Sequence, residues 1–114
     1  MTKPVAFVVP VLPGKTIALR ALVTSLAGPK AKDFDEMEKR LATDREVWFL
    51  QSSPMGDLAI AYFECKDPVK TMRDFAASKH PFDLWFKAQM KEISGSDFNE
   101  ESEGSPEQIF QYHS

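Results

Sequence analysis

The sequence predicts an α+β fold with one antiparallel sheet and helices packed on one of its faces. Two apolar and aromatic runs, at residues 46–53 and 58–64, flank the turn residues 54–57 and therefore predict a β-hairpin. Segments before and after this hairpin carry apolar residues at three- and four-residue spacing, which is typical of amphipathic helices. The predicted order of elements is β-α-β-β-α-β, and each helical stretch is broken once.

The first half of the chain supplies one strand and two helices. Residues 5–11 are rich in valine and predict a buried strand. Residues 16–26 predict a helix, which Gly28 and Pro29 end because proline disfavours helix at the residue before it. A second helix is predicted over residues 32–43, with an apolar stripe formed by Phe34, Met37 and Leu41.

The second half opens with a strong helix start. Asp67 is an N-cap residue and Pro68 suits the first helical position. A further helix is predicted to begin at Pro81 and to end at Gly95.

The end of the chain is predicted to hold a connector and a last strand. Residues 94–106 are rich in Gly, Ser, Asp and Glu, which predicts a mobile acidic connector. Residues 107–113 alternate between two sides and predict a last strand. We expect residues 1–114 to form a single domain, because this length builds one core.

Composition and charge narrow the function classes. The net charge is −3 and the 14 basic residues are spread over the chain, so we expect no nucleic-acid binding. The N-terminal apolar run has about eight residues where a bilayer requires about 20, so we expect no membrane span, no signal peptide and a cytoplasmic location. The lone Cys65 and the two distant histidines have no recognised metal spacing, so we expect no metal.

The predicted strands carry large apolar side chains on both faces. In the hairpin, Val47, Phe49 and Gln51 share one side, and Trp48 and Leu50 share the other. Helices on one face of the sheet leave its second face exposed to solvent, and a monomer of this size has few elements left to cover it. We therefore expect a homodimer in which two sheets pack face to face. In the alternative, the connector and the last strand fold over that face.

These elements resemble the dimeric α/β-barrel superfamily of ferredoxin-like proteins, whose βαββαβ order is the split βαβ pattern. At finer grain the chain is similar to an uncharacterised bacterial ferredoxin-like family. The matching segments lie at residues 12–16, 46–51, 56–57, 62–64, 67–68, 80–83 and 85–87. The resemblance implies the fold and the dimer, but it implies no activity, because that family has none assigned.

A more distant resemblance is to the antibiotic-biosynthesis-type and haem-degrading monooxygenases of the same superfamily. Haem-degrading members use an Asn on the first strand together with a Trp and a His. Residues 5–11 contain no Asn, although Trp48 and His80 match the other two residue types. No haem or other cofactor is therefore expected.

The densest candidate site is the run from His80 to Lys87. His80 precedes a proline, so it is either a helix cap or a general base, since an unperturbed imidazole titrates near pH 6.5. A base would need a second polar group at about 3 Å. The candidate ligand-binding residues are Trp48, Phe63, Trp85, Phe86, Tyr62 and Gln51. The aromatic members either line an apolar cavity or fill a core, and the two polar strand residues face either a barrel or water.

The sequence leaves three functional hypotheses open. The leading one is a cytoplasmic homodimer that binds a small apolar or aromatic molecule near Trp48, Phe63, Trp85 and His80. The second is a cofactor-independent monooxygenase-like enzyme with His80 as the base. The third is a structural or regulatory dimer without a ligand.

Overall fold

A computed structural model describes residues 1–100 and 106–114. Within them the chain is α+β, with one three-stranded antiparallel sheet and four helices. The elements are β1 (Lys3–Val11), α1 (Thr16–Ala27), α2 (Ala31–Arg40), β2 (Thr43–Ser53), β3 (Gly56–Cys65), α3 (Pro68–Ala77) and α4 (Pro81–Ser94).

Strand β3 lies at the centre of the sheet, in the order β1-β3-β2. Ala61 pairs with Phe7 on one side and with Trp48 on the other. One face of the sheet packs on the helices, and its buried side chains join those of α1, α2 and α4 in a common core. The helices therefore lie on one side of the sheet, as the sequence predicts.

The helix boundaries follow from local chemistry. Asp67 caps α3, since its Oδ1 accepts a hydrogen bond from the Lys70 N–H at 3.1 Å. Gly95 ends α4 with a φ of 79°, a left-handed conformation that glycine adopts without strain.

Helix α2 is shorter than predicted. It ends at Arg40, whereas the sequence pattern predicts helix to residue 43. Ala42 has a φ of 57°, which the helix cannot accommodate, and Thr43 already belongs to β2. The apolar spacing alone does not reveal this turn, because Leu41 is still buried.

The predicted last strand is not formed in the described part of the chain. Residues 106–114 have neither helix nor strand, and Ile109, Phe110 and Tyr112 are at least 77% exposed. A strand needs a neighbour for its backbone groups, and this segment buries too little apolar area to offset its ordering entropy. Residues 107–113 have the alternating pattern that predicts a strand, but no neighbouring strand pairs with them in the described part of the chain.

The connector predicted over residues 94–106 falls partly on residues that the structure does not describe. Within its described part, Phe98 is half-buried and its ring lies 6.3 Å from that of Phe75. The beginning of this segment therefore contributes to the core.

The second face of the sheet is not covered by any described residue. Phe49 is 57% exposed and Val8 is 45% exposed, while Ile60 lies half-buried between them on the central strand. The structure thus retains the uncovered apolar sheet face that the strand pattern predicts. We call it the outer face, and we call the helix-covered side the inner face.

Candidate functional site

A cavity of about 100 Å³ lies between the inner face and helices α2, α3 and α4, and it is partly open to solvent. Its walls are almost entirely apolar. Among the described residues, six aromatic side chains line it: Phe7, Trp48, Phe63, Phe75, Phe86 and Phe98.

The cavity exists because the central strand β3 has small side chains on its inner face at this point. Ala59 and Ala61 point toward the helices, and their flanking partners across the sheet include Phe7 and Trp48. Small side chains between large ones leave a gap that the helices above do not fill. The alternation of small and large residues on β3 and its neighbours therefore produces the space.

Phe86 of α4 organises the aromatic wall. Its ring centroid lies 6.0 Å from that of Trp48 and 6.1 Å from that of Phe75, with tilted planes in both pairs. Such tilted contacts are favoured over face-to-face stacking and hold the rings in place. The wall is thus a set of aromatic side chains in mutual contact around Phe86.

Two acidic side chains interrupt this apolar lining. Glu38 comes from α2 and Glu46 from β2, and both are half-buried. The indole N–H of Trp48 donates a hydrogen bond to Oε2 of Glu46. We refer to Glu38 and Glu46 as the carboxyl pair.

The surroundings of the carboxyl pair favour a proton on Glu38. Burial, and then the charge and hydrogen bonding of Glu46, raise the pKa of Glu38 from 4.5 to about 9, with a smaller contribution from Asp35. Glu38 therefore keeps its proton at pH 7, and its hydroxyl donates to Glu46. A protonated carboxyl inside an apolar cavity can donate a hydrogen bond to a ligand or release its proton to solvent.

No Lys, Arg or His is among the described residues that line the cavity. Among the side chains of the lining residues that the structure describes, the other hydrogen-bonding groups are the hydroxyls of Thr43 and Thr71 and the indole N–H of Trp48. The Thr71 hydroxyl is already used, because it donates to the Leu41 carbonyl at 2.8 Å. The electrostatic character of the cavity is therefore acidic.

The structure brings three of the predicted binding residues together. Trp48, Phe63 and Phe86 line the cavity. Tyr62 and Gln51 lie on the outer face, because they alternate with the inner-face residues of β3 and β2. The Tyr62 hydroxyl donates to Glu64 at 2.6 Å on that face.

His80 and Trp85 lie outside the cavity. His80 is the N-cap of α4: it is exposed, and its Nδ1 accepts a hydrogen bond from the Phe82 N–H at 3.2 Å. Trp85 packs on Phe82 with 5.5 Å between ring centroids, and the Lys30 ammonium lies 5.0 Å from its ring. The helix-cap interpretation of His80 thus accounts for its position, and the geometry adds no support for a catalytic base there.

Two buried charged side chains in the first two turns of α4, Asp83 and Lys87, form hydrogen bonds with other groups of the protein. Asp83, which is 1% exposed, accepts hydrogen bonds from Arg40 and from Ser78, each at 2.5 Å. Lys87 is also 1% exposed, and its Nζ donates to the carbonyls of Phe75, Ala76 and Ser78 at 2.8 to 3.2 Å. Burial, more than the nearby Lys79, lowers the pKa of Lys87. These contacts fix α4 against α2 and against the end of α3.

The described residues give no geometric support for a metal site or a reactive cysteine. No three His, Cys, Asp or Glu side chains come close enough there to hold a metal ion. Cys65 is fully buried, and burial is the main reason that the pKa of its thiol is raised, which disfavours the reactive thiolate. None of the helices in residues 1–100 and 106–114 has the length and apolar character that a bilayer crossing requires.

Sequence reasoning missed the carboxyl pair, although its signal is present. Glu38 lies four residues after Phe34 and three before Leu41, so it falls on the apolar stripe of α2 rather than on the solvent side. Glu46 lies two residues before Trp48 and shares its face of β2. An acidic residue on each of two apolar faces is the pattern that indicates this site.

Comparison of the chain with protein-family models, with curated proteins and with solved structures gave no significant match. The resemblance to the dimeric α/β-barrel superfamily therefore stays a prediction.

Proposed function

We propose that this protein binds a small apolar or aromatic molecule in the cavity between the inner face and helices α2, α3 and α4. The observation that carries the proposal is the aromatic wall around about 100 Å³ of unfilled space. Ligand sites in proteins are typically concave and apolar, with a few placed polar groups. The carboxyl pair supplies those polar groups.

The energetic cost of the cavity supports a role for it. The apolar side chains around this unfilled space lack the dispersion contacts that a filled core would give them. Replacing Ala61 by a larger residue would remove much of that cost within the same strand. A ligand that enters the space recovers the lost contacts.

A fluorescence titration tests the proposal. Trp48 lines the cavity and Trp85 lies outside it, so the Trp85→Phe protein reports on the cavity through one indole. We expect furan, an aromatic ring smaller than benzene, and 1-butanol to change its emission saturably, with dissociation constants of about 1 mM, as suits ligands of this size.

A cavity-filling variant and a matched control give the test its specificity. Ala61→Leu places a larger side chain in the space and should abolish the signal change. Ala88→Leu makes the same substitution at an exposed position of α4 and should leave binding intact. If neither ligand gives a saturable change in the parent protein, the binding proposal is wrong and the ligand-free structural dimer is the better hypothesis.

The proposal includes a homodimer with a ferredoxin-like arrangement, located in the cytoplasm. The support for the dimer is the outer face, where Val8 and Phe49 lie exposed on a continuous apolar surface. Packing two such faces against each other buries these side chains symmetrically. The support for the location is a single, fully buried free cysteine, which fits a reducing compartment.

A further inference from the structure

We infer that the cavity accepts a small apolar primary amine, whose ammonium group binds to the carboxyl pair of Glu38 and Glu46 while its carbon chain lies against the aromatic wall. This inference rests on the proposed binding function and names the class of ligand. Its basis is the combination of an acidic pair, an aromatic lining and the lack of cationic side chains in one cavity.

The hydrogen-bonding capacity of the carboxyl pair suits an ammonium group. The Trp48 indole N–H donates to Oε2 of Glu46, and two ionised carboxylates offer more acceptor sites than this one donor occupies. An ammonium group supplies three donors and no acceptor, so it matches a set of acceptors. An alcohol supplies only one donor, and a carboxylate supplies none.

The aromatic wall favours the same charge. The rings of Trp48, Phe75 and Phe86 line the cavity, and a cation that lies over the face of such a ring is attracted to it. The Glu38 and Glu46 side chains are not balanced by any Lys, Arg or His among the described lining residues. The negative charge on the carboxyl pair would therefore disfavour an anionic ligand.

Binding has a definite proton balance. An alkylamine has a pKa near that of lysine, about 10.4, so it arrives at pH 7 as the ammonium ion. Glu38 holds a proton in the free protein because burial and Glu46, with Asp35 behind them, oppose its ionisation. The ammonium charge reverses this balance, so Glu38 transfers its proton to solvent as the ligand binds. One cation enters the cavity and one proton leaves.

The size of the cavity limits the carbon chain. An apolar cavity of about 150 Å³ holds benzene, and the present one is smaller, at about 100 Å³. A chain of about four carbons fits that space, and the partly open side leaves room for the head group. Butylammonium is therefore the appropriate probe.

Calorimetric titration with three ligands of the same chain length tests the inference. We expect butylammonium to bind at least tenfold more tightly than 1-butanol at pH 7, and butyrate to bind more weakly than both. Repeating the butylammonium titration in buffers of different ionisation enthalpy counts protons, and we expect the release of nearly one. If butylammonium binds no more tightly than 1-butanol, or if no proton is released, the inference is overturned while the proposed function stands. If none of the three ligands binds, both are overturned.

A pair of variants identifies the group that releases the proton. Glu38→Gln keeps the shape and a hydrogen-bond donor but cannot ionise, so it should abolish proton release and weaken butylammonium binding at least tenfold. Its circular dichroism spectrum should match that of the parent protein, which shows that the loss is not due to unfolding. Glu36→Gln, on the exposed side of the same helix, should behave like the parent protein. Undiminished proton release by Glu38→Gln would contradict the assignment.

Discussion

Glu38 of α2 and Glu46 of β2 meet in the same apolar cavity, and burial together with the charge and hydrogen bonding of Glu46 raises the pKa of Glu38. Two acidic side chains meet there because each lies on the apolar face of its own element. This environment favours the protonated form of Glu38. Removing the proton therefore changes both the stability of the fold and the charge of the cavity.

The first prediction concerns the pH dependence of stability. The folded-state pKa of Glu38 is raised above its usual value, so the stabilisation from its protonated form is complete below about pH 4.5 and is lost as the pH rises toward 9. A full proton difference changes the unfolding free energy by about 1.4 kcal/mol per pH unit, and coupling within the pair reduces this. We expect the parent protein to lose about 1 to 3 kcal/mol relative to Glu38→Gln between pH 6 and pH 9.

Urea unfolding at pH 6, 7.5 and 9 measures this difference. Glu36→Gln serves as the control, because Glu36 is exposed on the same helix. This variant should show the same dependence of unfolding free energy on pH as the parent protein. A free-energy difference between the parent and Glu38→Gln that stays constant with pH would show that Glu38 titrates normally.

The second prediction concerns the ion pair of Arg40 and Asp83, which connects α2 to α4 at 2.5 Å. Asp83 is almost completely buried, so water cannot take the place of Arg40 as its hydrogen-bond donor. Asp83→Asn should destabilise the protein by about 3 kcal/mol, because it leaves the Arg40 charge poorly matched and weakens the bond from Ser78. Asp74→Asn breaks an exposed pair with Lys70 and should cost less than about 0.5 kcal/mol. Equal losses in the two variants, measured by chemical unfolding, would contradict this interpretation.

The third prediction concerns Lys87, whose Nζ donates to three carbonyls at the end of α3. Lys87→Met keeps most of the side-chain volume and removes all three donors. We expect a loss of about 2 to 4 kcal/mol in unfolding free energy, since three carbonyls lose a donor and, among the described residues, only that of Phe75 keeps a backbone N–H, from Ser78. Lys91→Met, one turn later and exposed, should change stability by less than about 0.5 kcal/mol. Calorimetric unfolding of both variants decides the matter, and an unaffected Lys87→Met protein would refute it.

The fourth prediction concerns the outer face. If two copies pack through it, light scattering should give twice the 12.9 kDa mass of the chain. Phe49→Glu places a charge in the middle of the exposed apolar surface and should shift the protein to a monomer with an unchanged circular dichroism spectrum. Met55→Glu, at the exposed hairpin turn, should leave the mass of the parent protein unchanged. A parent protein of 12.9 kDa at tens of micromolar would exclude the dimer.

Much of the fold follows from local signals in the sequence. Asp67 with Pro68, and Pro81 with Gly95, give the limits of helices that the structure also has. The last strand fails because strand formation depends on a pairing partner, which alternation of side chains cannot reveal. The end of α2 is misplaced because a single left-handed residue, Ala42, carries no signature in its side chain.

The site is less predictable than the fold. Trp48, Phe63 and Phe86 are expected at a cavity because large aromatics on the inner elements must meet somewhere near the core. The position of His80 depends on the direction in which α4 begins, and the cap geometry turns it to solvent. To predict the carboxyl pair one must know how α2 crosses β2, which is a tertiary property. Residue spacing places each glutamate on an apolar face but does not show that the two are in contact.

The most direct test of ligand binding uses the methionine methyl groups as reporters. Met37, Met72 and Met90 line the cavity, whereas Met1 and Met55 are fully exposed. In a protein with ¹³C-labelled methionine methyls, titration with 1-butanol should shift the three cavity signals saturably and leave the two exposed signals in place. Five unmoved signals, or five that shift together without saturation, would contradict the claim that this cavity is a binding site.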